Sequence, residues 1–497
     1  MKTVLIVNPP ARSRVYGVLA DLAAIEIPVW SGLIAAYLER QGYDVVVVDP
    51  EVERWDVDTT AQHIQAIRPD LAVFTIYGQQ PSASTQVLPA AEDVARKLEG
   101  IRTLCLGTHP SALPARTMEE GPWTYLAYGE GPETVLGLLQ VIEGVGQHRD
   151  VNGLWWRDGP QVIGNRSPAV IQDLTETLPD RGFKYFDFKR YRAHNWHAFG
   201  LERSPYASLQ TSLGCSFRCS FCCINAPFGS ASIRFWSAAN VLSAFDQLAD
   251  AGVTNIKIPD EMFVLNPRHV EDICDGLIER GYQFNIWAYA RVDTVKNDVL
   301  LAKMLRAGFR WLGLGIESGS RHVRDGVAKG KFGHEDIITA VRRVQEHGIH
   351  VAANYIFGLP DDDIRSMQET LALACELNTE WANFYSGMGY PGSALYSQAK
   401  KRGWRLPDDP GGPGWIGYSQ HSYDTLPLPT EHLRAETVLD FRDRAFAYYF
   451  GRSEYQALIR RKFGDAAAAE IKAMNTLRMQ RKYWIEGTAC LHKAEVV

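Results

Sequence analysis

Cysteine is scarce in this chain. Eight in 497 residues are too few for a scaffold held by disulfides. No apolar run approaches the length that spans a bilayer. The first such run, Val4 to Val7, ends at Asn8-Pro9-Pro10 and is too short for a signal peptide. Basic charge is not in excess either: 52 Lys and Arg face 58 Asp and Glu, giving −6, whereas a nucleic-acid partner calls for a basic face. Internal repeats, heptads and low-complexity tracts are missing. These absences lead to the expectation of a cytoplasmic protein with no membrane segment and no nucleic-acid partner. The composition that remains is that of a globular protein, long enough for about three domains.

Residues 1–145 alternate β-branched runs with helical stretches. Strands are expected at Thr3–Val7, Asp44–Val48, Leu71–Tyr77, Thr103–Gly107 and Tyr125–Tyr128, with helices such as Trp30–Gln41 and Ser84–Leu98 between them. That alternation predicts an α/β fold with a doubly wound parallel sheet, which binds ligands beyond its strand C-termini. The segments there are Asn8-Pro9-Pro10, Tyr77-Gly78-Gln79-Gln80, Gly107-Thr108-His109-Pro110 and Gly129-Glu130-Gly131-Pro132. Their small residues let a ligand approach the backbone. Residues 146–200 read as a connector with a small hairpin. Residues 201–400 hold a second series, with strands expected at Ser208–Leu213, Asn255–Ile258, Asn285–Ala290, Trp311–Ile316, Val351–Phe357 and Trp381–Tyr385. Six βα units predict a partial (β/α)6 barrel with its chemistry at the strand C-termini. Residues 401–497 form a mostly helical C-terminal region, with helices expected at Thr430–Phe450, Ser453–Phe463 and Ala466–Tyr483.

The few cysteines are not spread evenly. Cys215, Cys219, Cys222 and Cys223 fall within nine residues, where the first strand of the second series ends. The spacing C-x3-C-x2-C lets three thiolates converge from one loop. A cubane iron–sulfur cluster held only by cysteine takes four, so three leave one iron open to a small molecule. Structural zinc is the competing reading, although it usually draws on two separated pairs. Cys223 is read as a packed thiol, and Cys105, Cys274, Cys375 and Cys490 as structural.

The run Cys215-x3-Cys219-x-Phe221-Cys222 resembles the signature of the radical S-adenosylmethionine (SAM) superfamily. The resemblance implies a 4Fe-4S cluster on Cys215, Cys219 and Cys222 whose open iron is chelated by SAM. Further segments match in order. Ile258-Pro259-Asp260-Glu261 resembles the acidic segment, implying Glu261 or Asp260 at the SAM ammonium. Arg291 resembles the arginine at the SAM carboxylate, although pairing with Asp293 is the structural alternative. Gly315-Ile316-Glu317-Ser318 resembles the segment whose acid meets the SAM ribose, and Asn354 to Pro360 the strand beside the adenine. Pro360-Asp-Asp-Asp363 reads as a helix start.

Together with its N-terminal domain, the chain resembles the cobalamin-dependent radical SAM enzymes over roughly residues 1–400. That implies a cobalamin contacted by Asn8, Pro9, Tyr77, Gln79, Gly107, Thr108, His109, Gly129, Glu130 and Gly131. The Asp-x-His-x-x-Gly motif that supplies histidine to cobalt elsewhere is absent, so His109 is placed at the cofactor edge. A single cysteine in this domain, Cys105, separates the chain from methylthiotransferases, whose N-terminal domain holds a second cluster. The implied activity is transfer of a methyl group from methylcobalamin to an unactivated carbon of a natural-product or sugar-like molecule, after hydrogen abstraction by a 5′-deoxyadenosyl radical. An external electron donor of flavodoxin or ferredoxin type is implied. Tyr418, His421 and Tyr423, in an aromatic and polar loop, are the candidate substrate residues. The alternatives are a cyclase or rearrangement enzyme with the same cofactors, a corrinoid-binding protein without turnover, and a zinc-bearing nucleic-acid module.

Overall fold

The structure is a computed structural model that describes residues 2–78, 80, 82–330 and 332–483. The β-branched runs of the first 130 residues become β1 (Thr3–Val7), β2 (Asp44–Val48), β3 (Leu71–Ile76), β4 (Thr103–Gly107) and β5 (Tyr125–Ala127). They pair in parallel in the order β2-β1-β3-β4-β5. β3 and β4 are buried along their whole length, as strands covered by helices on both faces must be. The hairpin of residues 146–200, β6 (Leu154–Asp158) and β7 (Gln161–Gly164), extends this sheet with antiparallel strands.

The second series opens differently from expectation. Ser208–Leu213 is not one strand. β8 (Tyr206–Ser208) joins the second sheet, whereas β9 (Ser212–Gly214) pairs with β10 (Ile233–Phe235) in a two-stranded ribbon. The break has a cause. Buried Asp260 accepts hydrogen bonds from the Thr211 N–H (2.8 Å), Thr211 Oγ1 (2.6 Å) and Ser212 Oγ (2.6 Å), and these turn the chain out of the sheet. β11 (Asn255–Ile258), β12 (Asn285–Arg291), β13 (Phe309–Glu317), β14 (His350–Phe357) and β15 (Trp381–Ser386) follow β8, giving six parallel strands ordered β8-β11-β12-β13-β14-β15. Trp196 lies against Trp287, Trp311 and Trp381, which come from three of these strands, with centroids 5.2–5.9 Å apart.

The C-terminal helices are Ala435–Gly451 and Ser453–Met474, the second kinked at Gly464 (φ 89°). The helix expected to reach Tyr483 stops at Met474. Arg481 explains the change of course: its side chain is buried against Asp443 and the 420–425 loop, which a continuing helix would not reach. Among the described residues no helix is long and apolar enough to cross a membrane. The two sheets are joined through a buried ion pair, Lys257 Nζ lying 3.0 Å from both carboxylate oxygens of Glu26.

Candidate functional site

The strand order 2-1-3 places a topological switch point between β1 and β3, where the connections leave in opposite directions and a crevice opens. A cavity of about 150 Å³ lies there. Asn8 and Pro9 after β1, Tyr77 and Gly78 after β3, and Thr108 after β4 line it. Tyr77 stacks on Trp30 with centroids 4.4 Å apart and planes within 7°. Asn8 is fixed by its amide, which donates to Asp49 at 2.8 Å. The wall contains no histidine, cysteine or methionine among the described residues, so it offers no soft or imidazole ligand to a cobalt ion.

A second cavity, about 380 Å³, occupies the mouth of the half-barrel. Cys215, Cys219 and Cys222 all line it, together with Glu261, Arg291 and Glu317. The three cysteines are free thiols. Burial pushes the Cys222 thiol well above its ordinary pKa, with the nearby Glu261 charge adding to the effect. Binding of a metal centre would therefore release protons there. Among the described residues no three His, Cys, Asp or Glu side chains converge tightly enough for a single metal ion. Three thiols from one loop, rather than two separated pairs, suit a multi-iron group better than structural zinc. Cys223 also lines the cavity wall but is 3% exposed.

Asp260 is saturated by Thr211 and Ser212, which leaves Glu261 as the available acid. No hydrogen bond engages Glu261 among the described residues, and burial raises its pKa to about 7. An unmet carboxylate in a cavity is what an ammonium group requires. Arg291 does pair with Asp293 (2.9 Å), and its guanidinium lies 3.9 Å over the Phe217 ring. Its Nη1 sits 3.9 Å from Cys219 Sγ, so the pairing holds the cation beside the cysteine loop. Glu317 has φ 67°, left-handed for a non-glycine residue, at a register shift between β13 and β14. Such strain persists only where surrounding contacts enforce it. Here Lys329 Nζ binds Glu317 Oε1 at 2.6 Å, and the Lys329 carbonyl accepts from Arg291. Asn354 on β14 lines the same cavity, its side-chain Oδ1 accepting from Asn383 Nδ2 at 2.9 Å.

Other expected site residues lie elsewhere. Gly107 has φ 145°, and a Cβ there would meet the Ile76 carbonyl at 2.0 Å, so close strand packing accounts for that glycine. His109 lies outside both cavities, sealed behind Trp415 at 4.5 Å, with Nδ1 3.2 Å from Thr85 Oγ1. Burial lowers its pKa to about 3. Gly129, Glu130 and Gly131 also line neither cavity. Glu130 instead pairs with Arg234 (2.9 Å) and accepts from the Ile171 N–H (2.7 Å), tying its loop to the connector. Gln79 lies outside the described residues, as does Cys490. Of the three substrate candidates only His421 lines the second cavity. Tyr418 is buried with its hydroxyl on Asp408, and Tyr423 is 56% exposed. Sequence reasoning missed Lys329, Phe217 and Arg442, and it placed Gln80 in a ligand-binding loop without foreseeing its partner. Gln80 donates to the Tyr289 hydroxyl at 3.0 Å, bridging the N-terminal loop and the barrel. Val15, Tyr16, Gln80, Ala83 and Glu261 line both cavities, so the two chambers share one wall.

Fold and site define a class: an enzyme with a switch-point chamber in a doubly wound domain, set against a half-barrel chamber bearing three thiols. The profile of the radical SAM superfamily matches residues 209–374, and that of the B12 binding domain matches residues 16–139. The chain belongs to the cobalamin-dependent radical SAM enzymes, whose cofactors are a 4Fe-4S cluster, SAM and cobalamin. It is 25% identical to the uncharacterized methyltransferase PH0819 of Pyrococcus horikoshii, over 80% of this chain and 83% of that one. The anaerobic magnesium-protoporphyrin IX monomethyl ester cyclase of Cereibacter sphaeroides is 24% identical, over 77% of this chain and 61% of the relative. The fold is shared with the radical SAM methyltransferase TsrM of Kitasatospora setae, solved with cobalamin and a [4Fe-4S] cluster bound. TM-score is 0.66 at 18% identity, covering 90% of this chain and 88% of the other.

Proposed function

We propose that the protein is a C-methyltransferase that moves a methyl group from cobalamin to an unactivated carbon of a natural-product or sugar-like small molecule. The wall shared by the two chambers carries this reading, because it would let groups held on either side meet without leaving the protein. When bound, the family's cofactors supply radical hydrogen abstraction and a transferable methyl group. The chain's own part is to bind, orient and exclude water. Cys215, Cys219 and Cys222 would hold the cluster. Glu261 would take the SAM ammonium, Arg291 its carboxylate and Glu317 its ribose hydroxyls. Asn8, Pro9, Tyr77 and Thr108 would line the corrin site. The tryptophan group around Trp196 closes the barrel floor against solvent. A flavodoxin- or ferredoxin-type donor would deliver the electron. No side-chain acid or base is required to form the carbon–carbon bond.

Ring closure is the second reading, since a relative is named as a cyclase. Incubation of reduced, cofactor-loaded protein with SAM and candidate substrates separates the two by mass spectrometry. A product heavier by one methylene, formed with 5′-deoxyadenosine, is expected. A product without added carbon would replace methyl transfer by cyclisation, and absence of 5′-deoxyadenosine would count against turnover altogether.

A further inference from the structure

The proposed methyltransferase reading leaves one cluster of buried charge in the second cavity unused. Arg442, on helix Ala435–Gly451, is 1% exposed and lines the cavity at the β15 edge of the half-barrel. Its Nε donates to the Phe384 carbonyl (2.7 Å) and its Nη1 to Asp443 (2.7 Å). No hydrogen bond among the described residues uses its Nη2. Asp443 is shared: Arg481 holds it through Nε (2.8 Å) and Nη2 (3.0 Å). Two buried guanidiniums thus face one carboxylate, and the neighbouring Asp440 is taken by Arg444 at 2.9 Å. A net positive charge inside a cavity is costly unless an anion meets it.

The groups beside Arg442 suit an oxyanion. His421 lines the same wall, and burial together with the charges of Arg442 and Arg481 keeps its imidazole neutral. Its Nδ1 is buried with no partner among the described residues, and so is the Ser386 hydroxyl. Each can donate one hydrogen bond without adding charge. Arg481 also donates to the Gln420 and Ser422 carbonyls, at 3.0 and 2.8 Å, which fixes the loop that carries His421.

We infer that the substrate carries an oxyanion, a carboxylate or a phosphate monoester, seated on Arg442 Nη2 with His421 and Ser386 as further donors. The assignment rests on the proposed function above, because it takes the second cavity as the substrate chamber. The test is equilibrium dialysis of cofactor-loaded protein against benzoate, phenyl phosphate and benzamide. Benzoate or phenyl phosphate should bind about tenfold or more tightly than the neutral amide, as a charge-assisted contact does; whichever binds tighter names the source. Arg442→Gln should bring that ratio near one. Equal binding of all three by the wild-type protein, which needs no folded variant, overturns the assignment, and so does an anion preference retained in Arg442→Gln. Iron and corrinoid are measured on the same preparation. Absent anion preference on loaded protein removes the oxyanion site alone, whereas failure to load removes the functional reading and this site with it.

Discussion

Cys222 and Cys223 are neighbours with different surroundings. Cys222 is partly buried at the cavity wall beside Cys215 and Cys219, whereas Cys223 packs near Ala226 and Gly392 and is 3% exposed. Cys215→Ala should therefore lose the iron centre and SAM cleavage together, whereas Cys223→Ala should keep both; iron analysis and 5′-deoxyadenosine assays read the difference. Glu261 gives a second residue-scale prediction. Its carboxylate has no partner among the described residues, so Glu261→Gln should weaken SAM binding about tenfold or more while leaving iron content unchanged. Unchanged SAM affinity would move the ammonium contact elsewhere.

At the scale of elements, the strand ends carry the strain and the loops carry the site. Gly107→Ala would place a Cβ 2.0 Å from the Ile76 carbonyl at φ 145°, so a loss of more than about 3 kcal/mol in folding stability is expected by denaturant titration. Glu380, fully buried before β15, links the C-terminal helices to the barrel. It accepts from the Val351 N–H (2.9 Å) and Gln345 (3.1 Å) and pairs with Lys462. Burial alone would raise its pKa, but His350, Lys462 and these hydrogen bonds outweigh it and hold the carboxyl at about 2. A folded value below the unfolded one stabilises the protein above the unfolded pKa of roughly 4.3, and the gain is lost as pH falls through the folded value. Acid titration of stability should show a fall of about 3 kcal/mol at most between roughly pH 5 and pH 2 from this group, absent in Glu380→Gln. An unchanged acid limb in that variant would contradict the pairing.

The same scale explains what was legible in the sequence. β1, β2, β4 and β11 begin and end where expected; for β1 and β4 the reason is that a strand buried on both faces needs an unbroken apolar segment. The cysteine loop, Glu261, Arg291 and Glu317 were legible because each lies beside a strand end in a short local motif, and the structure brings all of them to one cavity. Asp260 splitting β8 from β9 was not legible, since it acts from 48 residues away on Ser212. Lys329, Arg442 and the contact of Gln80 with Tyr289 were missed for the same reason. Their partners belong to other elements, and no local period encodes them. Tyr418 and Tyr423 line neither cavity because an aromatic-rich loop packs some of its rings inward and leaves others in solvent.

For the whole molecule, the arrangement that matters is two chambers with one wall. The buried Glu26–Lys257 pair fixes the domains beside that wall, and Gln80 crosses it to Tyr289. Neither chamber alone would bring a corrinoid and a SAM-bound cluster within reach of one substrate. Anaerobic purification after reconstitution, followed by iron, cobalt and optical analysis, tests this pairing most directly. About four irons and one bound cobalamin per chain are expected. A colourless preparation holding zinc and no iron, or an iron-loaded protein that takes up no corrinoid, would contradict it.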